Sequence, residues 1–259
     1  MRSVKFIFYG LLFFTFNTQA EDVKVGGSAN AVVANPDTIA ANDALFSIWT
    51  SAAELGFVQT TGNTETESLN FKLAVDNKRK NWEHSFKLES VRSSDSMGTT
   101  AERYLILVKS EYRLNESAYL FDRLQYENDR FSGYDYQTSE VIGYGRHLVR
   151  NDAFKMSAEI GVGVRQNAVE NAATQSEGIV TVASDFDWTI SKSASLTENL
   201  TIDIGDARTI SKSVTALITK INSSLSSKIT YTVRNASEVP VGTENTDTEL
   251  AATLVYTFK

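Results

Sequence analysis

What most limits the folds open to this chain is a two-residue period of apolar and polar side chains. It begins at Trp49 and runs almost to the carboxy terminus. That period belongs to strands with one apolar and one polar face. Phe154, Met156, Ala158, Ile160, Val162 and Val164 alternate with Lys155, Ser157, Glu159, Gly161, Gly163 and Arg165. Leu69, Phe71, Leu73 and Val75 stand against Ser68, Asn70, Lys72 and Asp76. Leu250, Ala252, Leu254, Tyr256 and Phe258 oppose Glu249, Thr253 and Thr257. The predicted strands fall near 49–61, 65–77, 82–93, 101–114, 118–128, 137–148, 154–168, 177–190, 194–204, 211–222, 225–234 and 247–258. Most reach about ten residues, the length a tilted strand needs to cross the hydrocarbon core. Soluble strands run to about five or six. The expected fold is all-β: one transmembrane up-and-down antiparallel β-barrel of about 12 strands over 49–259. Two strands are assigned weakly, since Leu105 to Val108 is apolar on both faces and 211–222 is ambiguous.

The connections read as alternately short and long. Short polar turns stand at Asn77 to Asn81, Asn115 to Ser117, Arg150 to Asp152, Ser191 to Ser193 and Ser223 to Ser224. Longer segments stand at Ser93 to Thr100, Asp129 to Tyr136, Val169 to Ser176, Gly205 to Ile210 and Ala236 to Thr246. Outer-membrane barrels have short periplasmic turns and long external loops, so both termini are expected in the periplasm. The first hairpin, through Gly62-Asn63, is short where a long loop is due.

Ahead of the strands lies an export signal. Arg2 and Lys5 precede an apolar run from Phe6 to Phe16, and Thr18-Gln19-Ala20 places small residues before a cut after Ala20. The run is shorter than the roughly twenty residues of a spanning helix. Residues 1–20 are therefore expected as a cleavable signal peptide and 21–48 as a periplasmic leader, or a short helix started by Asn35-Pro36-Asp37. The chain has no cysteine, which excludes disulfides and thiolate metal sites. Its net charge of −7 gives no reason to expect a nucleic-acid partner.

The polar face carries the candidate site. Glu54, Lys72, Glu83, Lys87, Glu89, Arg103, Lys109, Glu111, Arg113, Lys155, Glu159 and Arg165 all have inward parity. A lysine or arginine facing lipid at the midplane costs about 2–4 kcal/mol. Facing inward, these groups either pair as a salt-bridged plug or line a water-filled passage, and the sequence leaves both open. Glu54, Lys72, Lys87, Glu89, Arg103, Glu159 and Arg165 are the candidate lumen-lining residues. Trp49, Trp82, Tyr112, Tyr119, Trp188, Tyr256 and Phe258 gather near strand ends and are expected in interfacial girdles. Barrel lipid hydrolases use a serine and a histidine on the lipid-facing side. Of the two histidines, His84 shares parity with Trp82 and reads as a girdle residue, and His147 lies beside Arg146. Spacing alone sets no serine next to either. No catalytic residue, metal or cofactor is expected, and Asp129 and Asp135 match no calcium-loop spacing.

Two segments, GNTETESLNF at Gly62 to Phe71 and NDRFSGYDYQT at Asn128 to Thr138, resemble the YdiY-like "putative salt-induced outer membrane protein" family, domain of unknown function 481. The resemblance spans about Trp49 to Phe258 and is most specific at Asp129-Arg130-Phe131-Ser132-Gly133. It implies an outer-membrane barrel of a Gram-negative bacterium, with a link to ionic or osmotic conditions and no catalytic residues to carry over. Asp129, Arg130, Phe131, Gly133 and Tyr134 are the candidate external-loop motif, expected to fold over the mouth with Phe131 and Tyr134 packing it. The expected partners are outer-membrane lipid and the barrel-assembly machinery, reading the last strand through Tyr256 and Phe258 despite the trailing Lys259. The functional expectation is a narrow passage for small solutes or ions. A structural or loop-mediated adhesion barrel is the alternative, and a membrane hydrolase the least favoured. The oligomeric state is unknown from sequence.

Overall fold

The computed structural model describes residues 48–60, 66–95, 97–130, 132, 134–169, 173–239 and 244–258. The signal-peptide and leader readings, the Gly62-Asn63 hairpin, Phe131, Gly133 and Lys259 lie outside them. The described chain forms twelve strands: β1 Ile48–Thr60, β2 Thr66–Lys78, β3 Trp82–Asp95, β4 Gly98–Arg113, β5 Ala118–Asp129 and β6 Tyr134–Arg150. These are followed by β7 Phe154–Val169, β8 Gln175–Thr189, β9 Ala194–Gly205, β10 Thr209–Lys220, β11 Leu225–Ala236 and β12 Thr246–Phe258. Each pairs antiparallel with its neighbours in sequence, and β12 returns to β1 to close the barrel. Full closure leaves the backbone groups of a spanning sheet paired within the protein, as hydrocarbon demands.

The closing seam is shorter than the other pairings. It runs from Ser51 opposite Phe258 to Leu55 opposite Leu254, whereas β1 follows β2 from Ile48 opposite Lys78 to Thr60 opposite Thr66.

Parity sorts the side chains as the alternation predicts. Phe57, Ile142, Ile160, Val162, Leu250 and Leu254 are exposed on the outer wall, while Glu127, Glu159, Arg123 and Arg165 are buried within. The inverted exposure is that of a barrel whose outside is meant for lipid. Trp49, Trp82, Tyr112, Trp188, Tyr256 and Phe258 all stand outward at the end where β1 begins and β12 finishes, here called the terminal end.

Two expectations are corrected. Tyr119 is no girdle residue: it shares the inward parity of Phe121 and Arg123 and is buried. Nor do the connections alternate in length, because the strands grow into the segments read as loops. β3 runs to Asp95 and β4 begins at Gly98, and β9 ends at Gly205 with β10 starting at Thr209. By the strand bounds, the connections at the end opposite the terminal end run from two residues (96–97) to nine (237–245). The β3–β4 reversal is tight because Asp95 Oδ1 accepts from the backbone N–H of Met97 and Gly98 (2.8 and 3.1 Å) and Gly98 adopts φ 138°. The terminal-end turns repeat one device. Asn115, Asn151 and Asn222 each accept from the backbone two and three residues on, through Ser117 and Ala118, Ala153 and Phe154, and Ser224 and Leu225.

The two weakly assigned strands resolve for physical reasons. On β4, Leu105 and Leu107 face inward, opposite Glu89 and Lys87, while Ile106 and Val108 face out. On β10 the outer face carries Ser213 and Thr215 because they donate to Glu198 of β9, Ser213 at 2.6 Å. A lipid-facing carboxylate is thus held by hydroxyls of the adjoining strand.

Candidate functional site

The interior is built in two unlike halves. On the β4–β8 side, glycine makes room for rings. A Cβ on Gly143 would meet Ile160 O at 2.4 Å and the Phe121 ring at 2.7 Å, and one on Gly145 would meet the Tyr119 ring at 2.2 Å. Tyr119 and Phe121 therefore lie flat on bare backbone, forming with Val141 and Ile179 the buried apolar cluster. Lys109 crosses above them, 5.2 Å from the Phe121 ring centre and 5.9 Å from that of Tyr119. Its ammonium meets Glu159 at 2.5 Å and Glu111 at 3.0 Å, and the Tyr119 hydroxyl donates to Glu159 at 2.7 Å. His147, whose ring is 5.1 Å from that of Tyr119, shares with it and Glu111 the lining of a crevice of about 20 Å³ at the terminal end.

The far end of the same side is held by arginines. Arg165 meets Glu177 at 2.8 Å and donates to the Arg208 carbonyl at 2.6 Å. Arg208 leaves the β9–β10 turn to lie 4.3 Å above the Tyr134 ring, donating to the Tyr134 hydroxyl and to Asn167. Burial, seconded by Arg165 and Arg234 and opposed by Tyr134 and Glu177, lowers the pKa of the Arg208 guanidinium.

Between this packing and the β1–β3 and β10–β12 wall lies open space, which Lys109, Glu159 and Arg165 also border. A cavity of about 390 Å³ is walled by Glu54, Lys72, Lys87, Glu89, Lys212 and Lys228, among others. A second, of about 380 Å³, lies toward the far end beside Arg103, Arg234 and Glu249. Ion pairs stripe the walls: Lys228 with Glu54 at 2.7 Å, Arg103 with Glu249 at 2.7 Å, Arg234 with Glu127 at 2.5 Å, Arg123 with Asp203 at 3.0 Å and Lys72 with Glu89 at 3.7 Å.

All seven candidate lumen residues face this interior. Glu54, Lys72, Lys87, Glu89, Glu159 and Arg165 border the larger cavity and Arg103 the smaller. Of the loop motif, Asp129 ends β5 and its carbonyl accepts from Ser132 Oγ at 2.7 Å. Arg130 meets Glu102 at 3.2 Å on the exposed rim, and Tyr134 serves the Arg208 lock. Arg208, Lys212 and Arg234 were missed. Arg208 sits in a turn, where parity says nothing; Lys212 and Arg234 had parity but lay in or beside the ambiguous strand.

The outer wall holds a row that spacing did not reveal. His84 is opposite Ser110 in the β3–β4 register, and Ser110 is opposite Asp122 in β4–β5. Ser110 is buried and within side-chain hydrogen-bonding reach of Asp122, while the His84 ring stacks on Trp82 with centres 5.5 Å apart. Among the described residues, no three of His, Asp and Glu assemble as a metal site.

Residues 53–258 match the family described as "Protein of unknown function, DUF481". The chain is 24% identical over 228 residues to the uncharacterized protein YdiY of Escherichia coli (strain K12), covering 84% of this chain and 90% of that one. The structure is similar to that of the NanC porin, with a TM-score of 0.52 at 8% identity, covering 81% of this chain and 99% of the porin. It is also similar to the COG4313 outer membrane channel from Pseudomonas putida F1, with a TM-score of 0.48 at 10% identity, covering 82% of this chain and 95% of the channel.

Proposed function

The chain belongs to the DUF481 family, whose function is unknown, and we propose that it is a bacterial outer-membrane barrel giving small solutes or ions a narrow, water-lined passage. The observation that carries the reading is the open half of the interior. A closed barrel with an apolar outer wall keeps there about 390 Å³ of space edged by ionised side chains rather than filled by apolar ones. Charged walls hold water, and water-filled interiors of such barrels conduct. The Tyr119–Glu159–Lys109 network narrows this passage from the β4–β8 side.

Location in the outer membrane is supported by the lipid-suited exterior and by the export signal read from the sequence. Both termini in the periplasm fits the girdle at the terminal end and a last strand offering Tyr256 and Phe258 to assembly machinery. The link to salt conditions rests on the family label alone. His84 and His147 lie off the open space, one on the outer wall and one in the terminal crevice, so the reading assigns no reaction.

Reconstitution of the folded protein into planar bilayers tests the proposal. Stepwise currents of small unit conductance are expected. A folded barrel that stays silent in chloride and acetate salts alike overturns it.

A further inference from the structure

Resting on the passage reading, we propose that the open half of the interior contains a site for a small oxyanion, a solute bearing a carboxylate or phosphate group, held by Lys212 and Lys87 with Lys72 beside them. Lys212 projects inward from β10, opposite Arg234 of β11 and Thr201 of β9. Its side chain is only partly buried, bordering the open cavity, and among the described residues it makes no ion pair or hydrogen bond. The carboxylates in its electrostatic reach, Glu89 and Glu127, are each engaged elsewhere. Glu89 faces Lys72 at 3.7 Å and Glu127 holds Arg234 at 2.5 Å.

Lys87 of β3 is exposed to the same interior and is likewise without an ion pair among the described residues. It lies within reach of Asp76 and Glu89 but contacts neither within 4 Å. Around Glu89 and Glu127 the cations Lys72, Lys87, Arg103, Lys212 and Arg234 outnumber the carboxylates, even with Glu249 counted. The excess is local, since the whole chain carries a net charge of −7. Two ammonium groups bordering one cavity without ion-pair partners leave a locally positive field that attracts anions. An oxyanion seated between Lys212 and Lys87 would compensate it through charge-assisted hydrogen bonds. Space is there for it: both lysines and Lys72 border the cavity of about 390 Å³, within the usual range for small-ligand sites.

The probe is inorganic phosphate, titrated calorimetrically into the folded barrel in detergent. Saturable binding is expected, weakened about tenfold or more in the Lys87→Gln/Lys212→Gln double variant and kept by Lys87→Arg/Lys212→Arg. Glu89→Gln removes the competing carboxylate and is expected to tighten binding, an effect a merely structural lysine would not give. Lys212→Gln alone, expected to weaken binding about threefold, stands in should the double variant not fold. Absence of saturable binding to the wild type, an unchanged glutamine variant, or weaker binding in Glu89→Gln overturns the site. Bilayer currents keep the two readings apart. Phosphate binding by a silent barrel overturns the passage alone, and current without phosphate binding overturns the site alone.

Discussion

The two halves of the interior are built from the same alternation and end up opposite in character. On the β4–β8 side, glycine at inward positions lets rings lie on the backbone, and those rings strip water from Lys109 and Glu159. On the β1–β3 and β10–β12 side, inward positions mix charged chains such as Glu54, Lys72, Lys87 and Lys228 with aliphatic Ile210 and Val214, and space stays open. Where glycine stands opposite an aromatic residue the interior is packed by rings, whatever the number of charges around it.

That contrast can be broken by variants. The largest effect is expected from Gly143→Val, because the atoms its side chain would strike include the backbone of Ile160 and Gly161, which cannot yield as a side chain would. A loss of about 3 kcal/mol in urea unfolding from detergent is the expected cost; native stability would sink the account of the packed half. Next comes Tyr119→Ala, expected to cost about 3 kcal/mol and at the same time to raise unit conductance by opening the terminal crevice. A stable variant with unaltered current would show that the constriction lies elsewhere.

Two matched neutralisations sharpen the comparison. Glu159→Gln leaves Lys109 on Glu111 alone in a buried network, and the same titration should record a loss of about 2–4 kcal/mol. Lys72→Gln, on β2 beside open space and 3.7 Å from Glu89 of the adjoining β3, should cost no more than about 1 kcal/mol. Equal costs would erase the distinction between halves. The smallest effect is expected at the exposed rim, where Arg130→Ala breaks the pair with Glu102 for about 0.5 kcal/mol or less.

Much of this fold was legible because strand parity is a local property. Each of the twelve segments could be recognised from its own ten or so residues, and the charged set from Glu54 to Arg165 was assigned inward without knowing any neighbour. Orientation was read from loop lengths, and that basis failed: a segment such as Ser93 to Thr100 looks like a loop by polarity, yet Asp95 and Gly98 make a tight turn of it. The weak strand at 211–222 failed on polarity too, since Ser213 and Thr215 are outward only to serve Glu198, a partner on another strand.

The sequence by itself determined the strands, their number and, outside Tyr119 and the ambiguous strand at 211–222, which side chains turn from lipid, since a two-residue period needs nothing beyond the strand that carries it. The tertiary structure alone decided who meets whom. Strands tilt and stagger as the barrel closes, so the residue across the lumen is set by the shear of the whole sheet and not by any local spacing. Pairing register sets Tyr119 over Gly145 and Ser110 beside His84, and closure of the barrel brings Arg208 onto Tyr134 and leaves Lys212 facing open space with its nearest carboxylates already taken.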